Sequence, residues 1–259
     1  MSALVVKVGG HALDDLGPTS SVLGDLAEDL QGLERVVVVH GGGPQIADLL
    51  RRLDLESHFH QGLRVTDDPT MEVVSMALAQ VNALVVARLV ALGRPALGLS
   101  GLSAGLLTSP VDSGFLGRIA PSVRVRTALL EDLLRSQWIP VISPVSLGDD
   151  GGLLNCNADT AAGALAGALD AGTLIMLSDI DQVRADPDDP SSALESLTRR
   201  DLDELIASGA ARDGMRPKLA AALAALDAGA RRVVLANGTR PHAVRGALEH
   251  SIPTTEVLP

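Results

Sequence analysis

The sequence predicts an α/β protein in which a mainly parallel sheet lies between two layers of helices. Short apolar runs that end in glycine alternate with longer helical stretches along the 259 residues. Near-continuous apolar runs are typical of strands buried on both faces of a sheet. Because strand and helix alternate with no internal repeat and no low-complexity linker, we expect one domain, a three-layer αβα sandwich with its site at the carboxyl ends of the strands.

The elements of the first half follow from apolar patterns and the residues that interrupt them. They are a strand at 3–10, a helix at 18–30, a strand at 35–39, a helix at 45–53, a hairpin at 57–66, a helix at 70–92 and a strand at 95–100. Pro18 suits the first turn of a helix, and Gln61-Gly62 suits the turn of the hairpin. The helix at 70–92 is apolar on more than one face, so we expect it to contact both its own sheet and a second copy of the chain.

The second half continues the alternation of strands and helices. Its predicted elements are irregular β structure at 106–125, a helix at 127–137, a strand at 139–143, a glycine-rich turn at 148–152, an alanine-rich helix ending at 171, a strand at 173–178, helices at 200–208 and 215–228, a strand at 232–236, a helix at 240–249 and a short final strand. Gly114 and Gly117 are expected bends. The acidic, proline-bearing stretch after residue 178 is expected to be a loop.

Composition excludes several classes of protein. A net charge of −11 opposes binding to nucleic acid or to an anionic membrane, and two Phe, one Trp and no Tyr leave little for base stacking. The single cysteine excludes an internal disulfide. We expect no apolar run of transmembrane length, and no signal peptide before the first strand. We therefore expect a soluble cytoplasmic protein.

Lysine is rare in this chain, and its two positions stand out. Only Lys7 and Lys218 are lysines among the 21 basic residues, and Lys7 lies inside an apolar strand. Burial of an unpaired ammonium group is costly, so such a lysine either snorkels to the strand end or has a function. Because arginine serves almost everywhere else, these positions indicate a need for a compact point charge on a flexible stem. We expect the two lysines to act together.

Glycines follow two predicted strands, at 9–10 and at 41–43, and the second run leads directly into a helix. Unpaired amides at a helix N-terminus point outward and the helix dipole favours negative charge, so this arrangement suits an anion. Three consecutive glycines can also form a tight turn with no ligand. The helix that follows favours the anion-binding interpretation.

Three polar residues, Asn155, Asn157 and Asp159, occupy alternate positions before the alanine-rich helix. Helix N-capping explains one of them but not all three. In an extended segment the three side chains would point the same way. Two further candidates are Asp179, at the carboxyl end of a strand, and Arg64, which is either a solvated edge residue or a fork that grips a carboxylate.

Two ammonium groups, anion-binding glycines and an Asn/Asp cluster together suit phosphoryl transfer. This reaction requires positioning and charge neutralisation more than covalent participation by the protein. The sequence contains no GxxxxGK[ST] loop, no HRD or DFG kinase motif and no Cys/His spacing typical of zinc. We therefore expect a phosphotransferase without a dedicated protein metal site.

Six motifs along the whole chain resemble the amino-acid kinase family. They are KVGG at 7–10, HGGG at 40–43, GLRVT at 62–66, NCNAD at 155–159, LSDIDQV at 177–183 and GMRPK at 214–218. The resemblance is strongest to the branch that phosphorylates the side-chain carboxylate of N-acetyl-L-glutamate on the route to arginine. It implies the αβα fold shared with carbamate kinase, an acylphosphate product, and ATP with Mg²⁺ as co-substrate.

The resemblance also implies a role for individual residues. Lys7 and Lys218 would neutralise the transferring phosphoryl group, and Asp159 would orient both lysines. The substrate-binding residues that it implies are Gly42, Gly43, Arg64, Asn155 and Asn157. The nucleotide-binding residues that it implies are Gly9, Gly10, Asp179, Ile180, Asp181, Gln182, Val183, Arg184, Gly214 and Met215.

The same resemblance divides the single domain into two lobes. Residues 1–171 would bind the substrate and form a homodimer through the helix at 70–92, and residues 172–259 would bind the nucleotide. The sequence departs from the family at Gln182, where glycine is usual, and at 101–103, where Gly-Leu-Ser stands in place of a frequent Gly-Lys-Asp.

Two alternative functions stay open at this point. One is a kinase of lysine biosynthesis that acts on aminoadipate or glutamate linked to a carrier protein; an acidic carrier would need a basic rim, which a net charge of −11 opposes. The other is a non-catalytic sensor of nucleotides or amino acids. The presence of Lys7, Asp159 and Lys218 argues against a sensor.

Overall fold

The computed structural model describes residues 2–112, 114–208 and 215–259. The helices of these residues are α1 (Ser21–Asp29), α2 (Gly43–Arg52), α3 (Asp68–Ala91), α4 (Ala128–Arg135), α5 (Ala158–Ala168), α6 (Arg199–Ser208), α7 (Met215–Asp227) and α8 (Ala243–Glu249). Their strands are β1 (Leu4–Val8), β2 (Val36–His40), β3 (Phe59–His60), β4 (Leu63–Arg64), β5 (Ala96–Ser100), β6 (Leu107–Ser109), β7 (Arg124–Val125), β8 (Ile139–Ser143), β9 (Val145–Gly148), β10 (Leu153–Asn155), β11 (Thr173–Ser178), β12 (Val183–Arg184), β13 (Ala193–Leu194), β14 (Ser196–Thr198), β15 (Val233–Asn237) and β16 (Thr254–Leu258).

An eight-stranded sheet forms the centre, in the order β14-β16-β15-β11-β1-β2-β8-β5. Every neighbouring pair in this sheet is parallel except β15 and β16. One buried apolar cluster joins one face of the sheet to α4, α5, α6 and α7, and another joins the opposite face to α1, α3 and α8. The predicted three-layer sandwich with a mainly parallel sheet is confirmed.

The sheet places its site at the edge formed by the carboxyl ends of β1, β2 and β11. The chain passes from β1 to β2 on one side, whereas β11 pairs with β1 on the other side. In open α/β sheets, a crevice forms where the strand order changes direction in this way. The glycines after β1 and β2 and Asp179 after β11 all lie at this edge.

Two helices begin later than the sequence predicts. Helix α1 begins at residue 21 instead of 18 because a turn precedes it and the Ser20 hydroxyl accepts a hydrogen bond from the Leu23 amide at 3.3 Å. Helix α8 begins at residue 243 instead of 240. The buried carboxylate of Asp29, from α1, accepts the amides of Val244 and Arg245 at its start. A cap from a residue so distant along the chain has no local signal.

Several short strands were missed by the sequence interpretation. Strands β9 and β10 form a hairpin around the predicted glycine-rich turn and join β6 and β7 in a four-stranded sheet. The acidic stretch after β11, predicted to be a loop, contains the small hairpin of β12 and β13. Strands of two to four residues depend on their pairing partners and carry almost no periodicity of their own.

Helix α3 is long and apolar enough to cross a membrane by length and composition, so the prediction that no stretch reaches this length is wrong. In the structure one side of α3 is buried against the sheet and α2. Met76, Leu84 and Val90 are exposed on the remainder of the helix. The prediction of a helix apolar on more than one face is therefore confirmed.

Helices α5 and α7 pack closely because small residues line their contact. A Cβ atom at Gly163 of α5 would lie 2.9 Å from the Ala221 carbonyl oxygen, and one at Gly167 would lie 2.2 Å from the Ala228 Cβ. A backbone oxygen cannot move aside as a flexible side chain can. The glycines therefore set how near α7 lies to α5.

We expect Gly163→Ala to destabilise the protein by about 1–3 kcal/mol, because the added methyl group must push α7 away from α5. Gly24→Ala in α1 is the matched control, since its Cβ would meet only an Arg88 side-chain nitrogen at 3.7 Å. The control should stabilise the protein by about 0.5–1 kcal/mol, as alanine does in a helix interior. Urea unfolding measures both changes; equal effects would contradict the close packing of α5 and α7.

Candidate active site

Side chains alternate between the two faces of the sheet along β1, and Lys7 points toward the helix layer that contains α5 and α7. Leu4, Val6 and Val8 pack on the opposite face, whereas Val5 packs on the same face as Lys7. Lys7 is almost fully buried although it is charged. Its position in the strand therefore directs an ammonium group into the core beneath the carboxyl edge of the sheet.

Lys7 and Lys218 converge on one carboxylate. The Lys7 Nζ atom lies 2.8 Å from Asp159 Oδ1, and the Lys218 Nζ atom lies 3.6 Å from Asp159 Oδ2. The shorter contact joins two buried side chains, so Lys7 and Asp159 form a buried ion pair. The structure thus brings together the three residues that the sequence singled out.

Asp159 reaches this position because α5 begins just before it. The side-chain Oδ1 of Asn157 caps α5 and accepts hydrogen bonds from the amides of Asp159 and Thr160 at 2.8 and 3.2 Å. The prediction of an extended segment through residues 155–159 is therefore wrong: Asp159 lies in the first helical turn, where the helix dipole favours a carboxylate. Cys156, directly before Asn157, is buried in the core, and burial raises its thiol pKa to about 12.

Burial and charge act in opposite directions on the central ion pair. Burial lowers the pKa of Lys7 by more than the charge of Asp159 raises it, and the charge of Lys218 lowers it further. Burial by itself would raise the pKa of Asp159, but the two ammonium charges hold that pKa below its usual range. Asp159 is therefore an anion between two cations. A further anion beside Lys7 would favour its charged form.

Only glycine at position 9 leaves room for the Lys7 side chain in its observed position. A Cβ atom at Gly9 would lie 2.2 Å from Lys7 Nζ and 2.7 Å from Lys7 Cε. The lysine side chain therefore folds across Gly9 at the end of β1. Gly10 follows in a single-turn 3₁₀ helix that extends from Gly10 to Leu13.

A cavity of about 640 Å³ opens beside β2 and contains the five predicted substrate-binding residues. They are Gly42, Gly43, Arg64, Asn155 and Asn157. The amides of Gly42 and Gly43 donate no hydrogen bond to any described residue. Cavities of this size with a few polar groups are typical of small-molecule sites.

Arg64 is held in the wall of this cavity. The side chain is mostly buried, contacts the Ser57 hydroxyl, donates to the Gly43 carbonyl at 3.3 Å and lies 4.6 Å from the Phe59 ring centre. Of the two earlier interpretations, the solvated edge residue is therefore excluded. The Asn155 side-chain nitrogen donates to Thr66 Oγ1 at 3.1 Å, and its side-chain oxygen Oδ1 accepts no hydrogen bond from the described residues.

A second cavity, of about 460 Å³, lies beside β11 and β15. It is lined by seven of the predicted nucleotide-binding residues, Asp179, Ile180, Asp181, Gln182, Val183, Arg184 and Met215. Gly9 and Gly10 lie at the end of β1, and Gly214 lies outside the described residues. Because β1 lies between β2 and β11, Lys7 lies between the two cavities.

Side-chain contacts hold the loop that follows β11. The Gln182 side chain donates to the Thr254 carbonyl at 3.0 Å, so this departure from the family pattern ties the loop to β16. Arg240 binds both carboxylate oxygens of Asp181 at 2.6 and 2.9 Å and helps to lower its pKa to about 2. The sequence interpretation missed Asn237, which lines this cavity. Its position directly after the apolar strand predicted at 232–236 could have identified Asn237 as a candidate from the sequence.

Among residues 2–112, 114–208 and 215–259, no group of three or more His, Cys, Asp or Glu side chains is arranged to hold a metal ion. The charged centre consists instead of two ammonium groups and one carboxylate. Such a centre can neutralise negative charge on a reacting group without itself exchanging a proton.

An αβα sandwich with two lysines around a buried carboxylate, between two cavities at the strand ends, defines a small-molecule phosphotransferase. A sequence profile of the amino acid kinase family matches residues 2–237, and the chain belongs to this family. The resemblance seen in the six motifs is confirmed.

Individual relatives agree with this assignment. An acetylglutamate kinase from Methanopyrus kandleri is 42% identical over 244 residues, which cover 90% of this chain and 94% of the relative. One from Symbiobacterium thermophilum is 40% identical over 254 residues, covering 93% and 86%. A solved carbamate kinase from Giardia lamblia, bound to AMP-PNP, matches with a TM-score of 0.73 at 15% identity, over 99% of this chain and 98% of that one. This last likeness supports the fold.

Proposed function

We propose that this protein phosphorylates the side-chain carboxylate of N-acetyl-L-glutamate with ATP and forms an acylphosphate for arginine biosynthesis. The observation that carries the proposal is the convergence of Lys7 and Lys218 on Asp159 between two cavities. The names of relatives about 40% identical over most of the chain support the choice of substrate.

The chemistry explains why the centre lacks a general base. An ionised carboxylate has no proton to lose; one of its oxygens forms a bond to the terminal phosphorus while the bond from that phosphorus to the bridging oxygen of ADP breaks. The main barrier is the approach of two anions. Lys7, Lys218 and the amides of Gly42 and Gly43 would lower it by binding the transferring group. Asp159 would hold the two lysines in place.

The cavity beside β2 would hold the amino acid. We assign the α-carboxylate of the substrate to Arg64, whose guanidinium is already fixed in the cavity wall. Asn155 would bind the acetylated amide with its free side-chain oxygen Oδ1. Because Asn157 uses its oxygen to cap α5, its side-chain nitrogen is the group left to face the substrate.

The cavity beside β11 would hold ATP, which would arrive with Mg²⁺ as its complex. Residues 179–184 and Met215 would contact the nucleotide, and Gly9 and Gly10 would lie near its phosphates. The proposed contact of Gly214 with the nucleotide rests on the sequence alone. The two lobes proposed on this basis are residues 1–171 for substrate and dimerisation and residues 172–259 for nucleotide.

The protein is further proposed to be a cytoplasmic homodimer with no nucleic-acid or membrane partner. The exposed apolar residues of α3 and Leu97 of β5 support the dimer, since β5 is an open edge of the central sheet. Leu84→Glu and Val90→Glu together should convert a sedimenting dimer into a monomer. Leu53→Glu, an exposed leucine at the end of α2, is the control. A monomeric native protein would contradict the interface.

A coupled assay of ADP release tests the proposed reaction. N-acetylglutamate should support turnover, and hydroxylamine should trap the acylphosphate product; aspartate and free aminoadipate should support much less. Turnover only with a carrier-linked amino acid would favour the kinase of lysine biosynthesis. Binding of nucleotide with no ADP release from any of these substrates would favour a sensor.

We expect Gly9→Ala to lower kcat by roughly ten- to hundredfold with little change in stability, because the added methyl group displaces the Lys7 ammonium group. The displaced atoms belong to the free end of a flexible side chain, so the fold need not move. Steady-state kinetics and urea unfolding measure the two effects. Gly24→Ala, remote from the cavities, should leave kcat unchanged. Full activity in Gly9→Ala would show that the position of the ammonium group is not critical.

A further inference from the structure

His40 has no assigned role, yet it is the residue directly before the glycines of the substrate cavity. It ends β2 and is fully buried. Val36 and Val38, at alternate positions of the same strand, pack on the face that α3 covers. His40 therefore points away from Lys7 and into the opposite helix layer.

The two ring nitrogens of His40 have different partners. Nδ1 lies 2.8 Å from the Gly41 carbonyl oxygen, which can only accept, so Nδ1 carries a hydrogen. Nε2 lies 3.1 Å from Asn82 Nδ2, which can only donate, so Nε2 carries none. Burial lowers the pKa of His40 to about 4, which keeps the ring neutral near pH 7. The structure thus selects one tautomer of a neutral imidazole.

The bond to Gly41 also sets the direction of the next amide. The carbonyl of Gly41 and the N–H of Gly42 belong to one planar trans peptide and point in opposite directions. With the carbonyl held against His40, the Gly42 N–H faces away from the ring. Gly42 lines the substrate cavity, and its amide has no acceptor among the described residues.

Asn82, in α3, anchors the other side of the ring. Its side-chain nitrogen also donates to the Val141 carbonyl of β8 at 2.9 Å, which identifies that atom as nitrogen rather than oxygen. Its oxygen lies over Gly98 of β5, where a Cβ atom would approach it to 2.3 Å. A chain of contacts therefore leads from the edge strand through Asn82 and His40 to the glycines.

We propose that His40 and Asn82 are positioning residues that orient the Gly42 amide toward the charge that develops on the transferring phosphoryl group. The inference rests on the proposed function for its reaction. An amide held in this direction before the substrate arrives needs no reorganisation in the transition state. Neither residue touches the reacting atoms; each acts through the peptide between Gly41 and Gly42.

Two substitutions of His40 separate its two hydrogen bonds. The amide nitrogen of His40→Asn replaces Nδ1 and can still donate to Gly41, whereas His40→Gln reaches the Nε2 position and keeps only the partner Asn82. We expect His40→Gln to lower kcat about a hundredfold, the effect of losing one preorganised donor, with the KM for ATP unchanged. His40→Asn should keep kcat within about tenfold of the native value.

Gly98→Ala provides a test in which neither positioning residue is substituted. The added methyl group must displace the Asn82 side chain, so we expect kcat to fall about tenfold with the KM for ATP unchanged. Gly24→Ala is the matched glycine-to-alanine control. Thermal unfolding of every variant, and sedimentation of Gly98→Ala, show whether the protein remains folded and assembled.

The proposal is wrong if folded His40→Gln keeps the native kcat, or if His40→Asn loses as much as His40→Gln. It is also wrong if Gly98→Ala leaves kcat unchanged. Long-range ¹H–¹⁵N spectra give a readout independent of turnover: the His40 ring should show a protonated Nδ1 and a bare Nε2 from pH 6 to pH 8. If N-acetylglutamate gives no ADP release but the spectra show this tautomer, the proposed function fails and the hydrogen-bond assignment survives.

Discussion

Lys7→Arg is expected to lower kcat about a hundredfold although the substitution keeps the positive charge. The Lys7 side chain is buried, folds across Gly9 and places one nitrogen 2.8 Å from Asp159 Oδ1. A planar guanidinium is wider than an ammonium group and cannot occupy the same point between Asp159 and the glycine. The loss of one preorganised donor of this kind raises the barrier by about 3 kcal/mol, which corresponds to the expected hundredfold.

Steady-state kinetics with N-acetylglutamate and ATP measure this effect, and the KM values show whether binding is retained. An exchange of the same two residue types on the surface supplies the control: Arg51 is highly exposed in α2, so Arg51→Lys should leave kcat unchanged. If Lys7→Arg turned over at nearly the native rate, the scarcity of lysine in this chain would have no functional meaning.

Asp159→Asn is expected to reduce both stability and activity. The substitution leaves the buried Lys7 ammonium group without its counter-ion, and removal of one partner from a buried ion pair costs about 3–5 kcal/mol. Turnover should fall about a hundredfold, because neither lysine is then held at the phosphoryl position. Urea unfolding and steady-state kinetics measure the two changes.

The pH dependence of Asp159→Asn has a defined sign. In the native protein the pKa of Asp159 is below its usual range, so its contribution to stability is present above the unfolded pKa of about 3.9 and is lost as the pH falls through the folded value. The difference in unfolding free energy between native protein and variant should therefore narrow on acidification. A difference that is independent of pH would contradict the ionised state of Asp159.

The kcat of Asp159→Asn should depend on pH on the alkaline side of neutrality. Burial already lowers the pKa of Lys7, and Asp159 opposes that effect. Without the carboxylate the pKa of Lys7 should fall further, so kcat of Asp159→Asn should decline with rising pH before that of the native protein does.

The double variant with Lys7→Met and Asp159→Asn is the control for the loss of stability in Asp159→Asn, since it removes both buried charges. It should recover stability but not activity.

Much of the fold could be predicted because strand burial has a direct sequence pattern. The apolar runs at 35–39, 139–143 and 173–178 correspond closely to β2, β8 and β11. Helix starts were less accurate. The start of α8 depends on Asp29, which is distant along the chain, and no local pattern contains that information.

The candidate site was partly visible for a different reason. Lys7 conflicts with its apolar strand, and such conflicts between local pattern and residue type often mark function. His40 begins the HGGG motif but was given no role of its own, because its function depends on Asn82 in a helix that covers the sheet. Asn157 was given a ligand-binding role, and only the structure shows that its oxygen caps α5.

Local composition by itself determined the alternation of buried strands and helices, the glycines at the strand ends and the two exceptional lysines. The packing of the chain decided that Lys7, Asp159 and Lys218 meet, through the parallel order of β11, β1 and β2 and the close contact of α5 with α7. The physical reason is that burial patterns act over a few neighbouring residues, whereas an ion pair or a helix cap requires two distant segments to arrive at the same place.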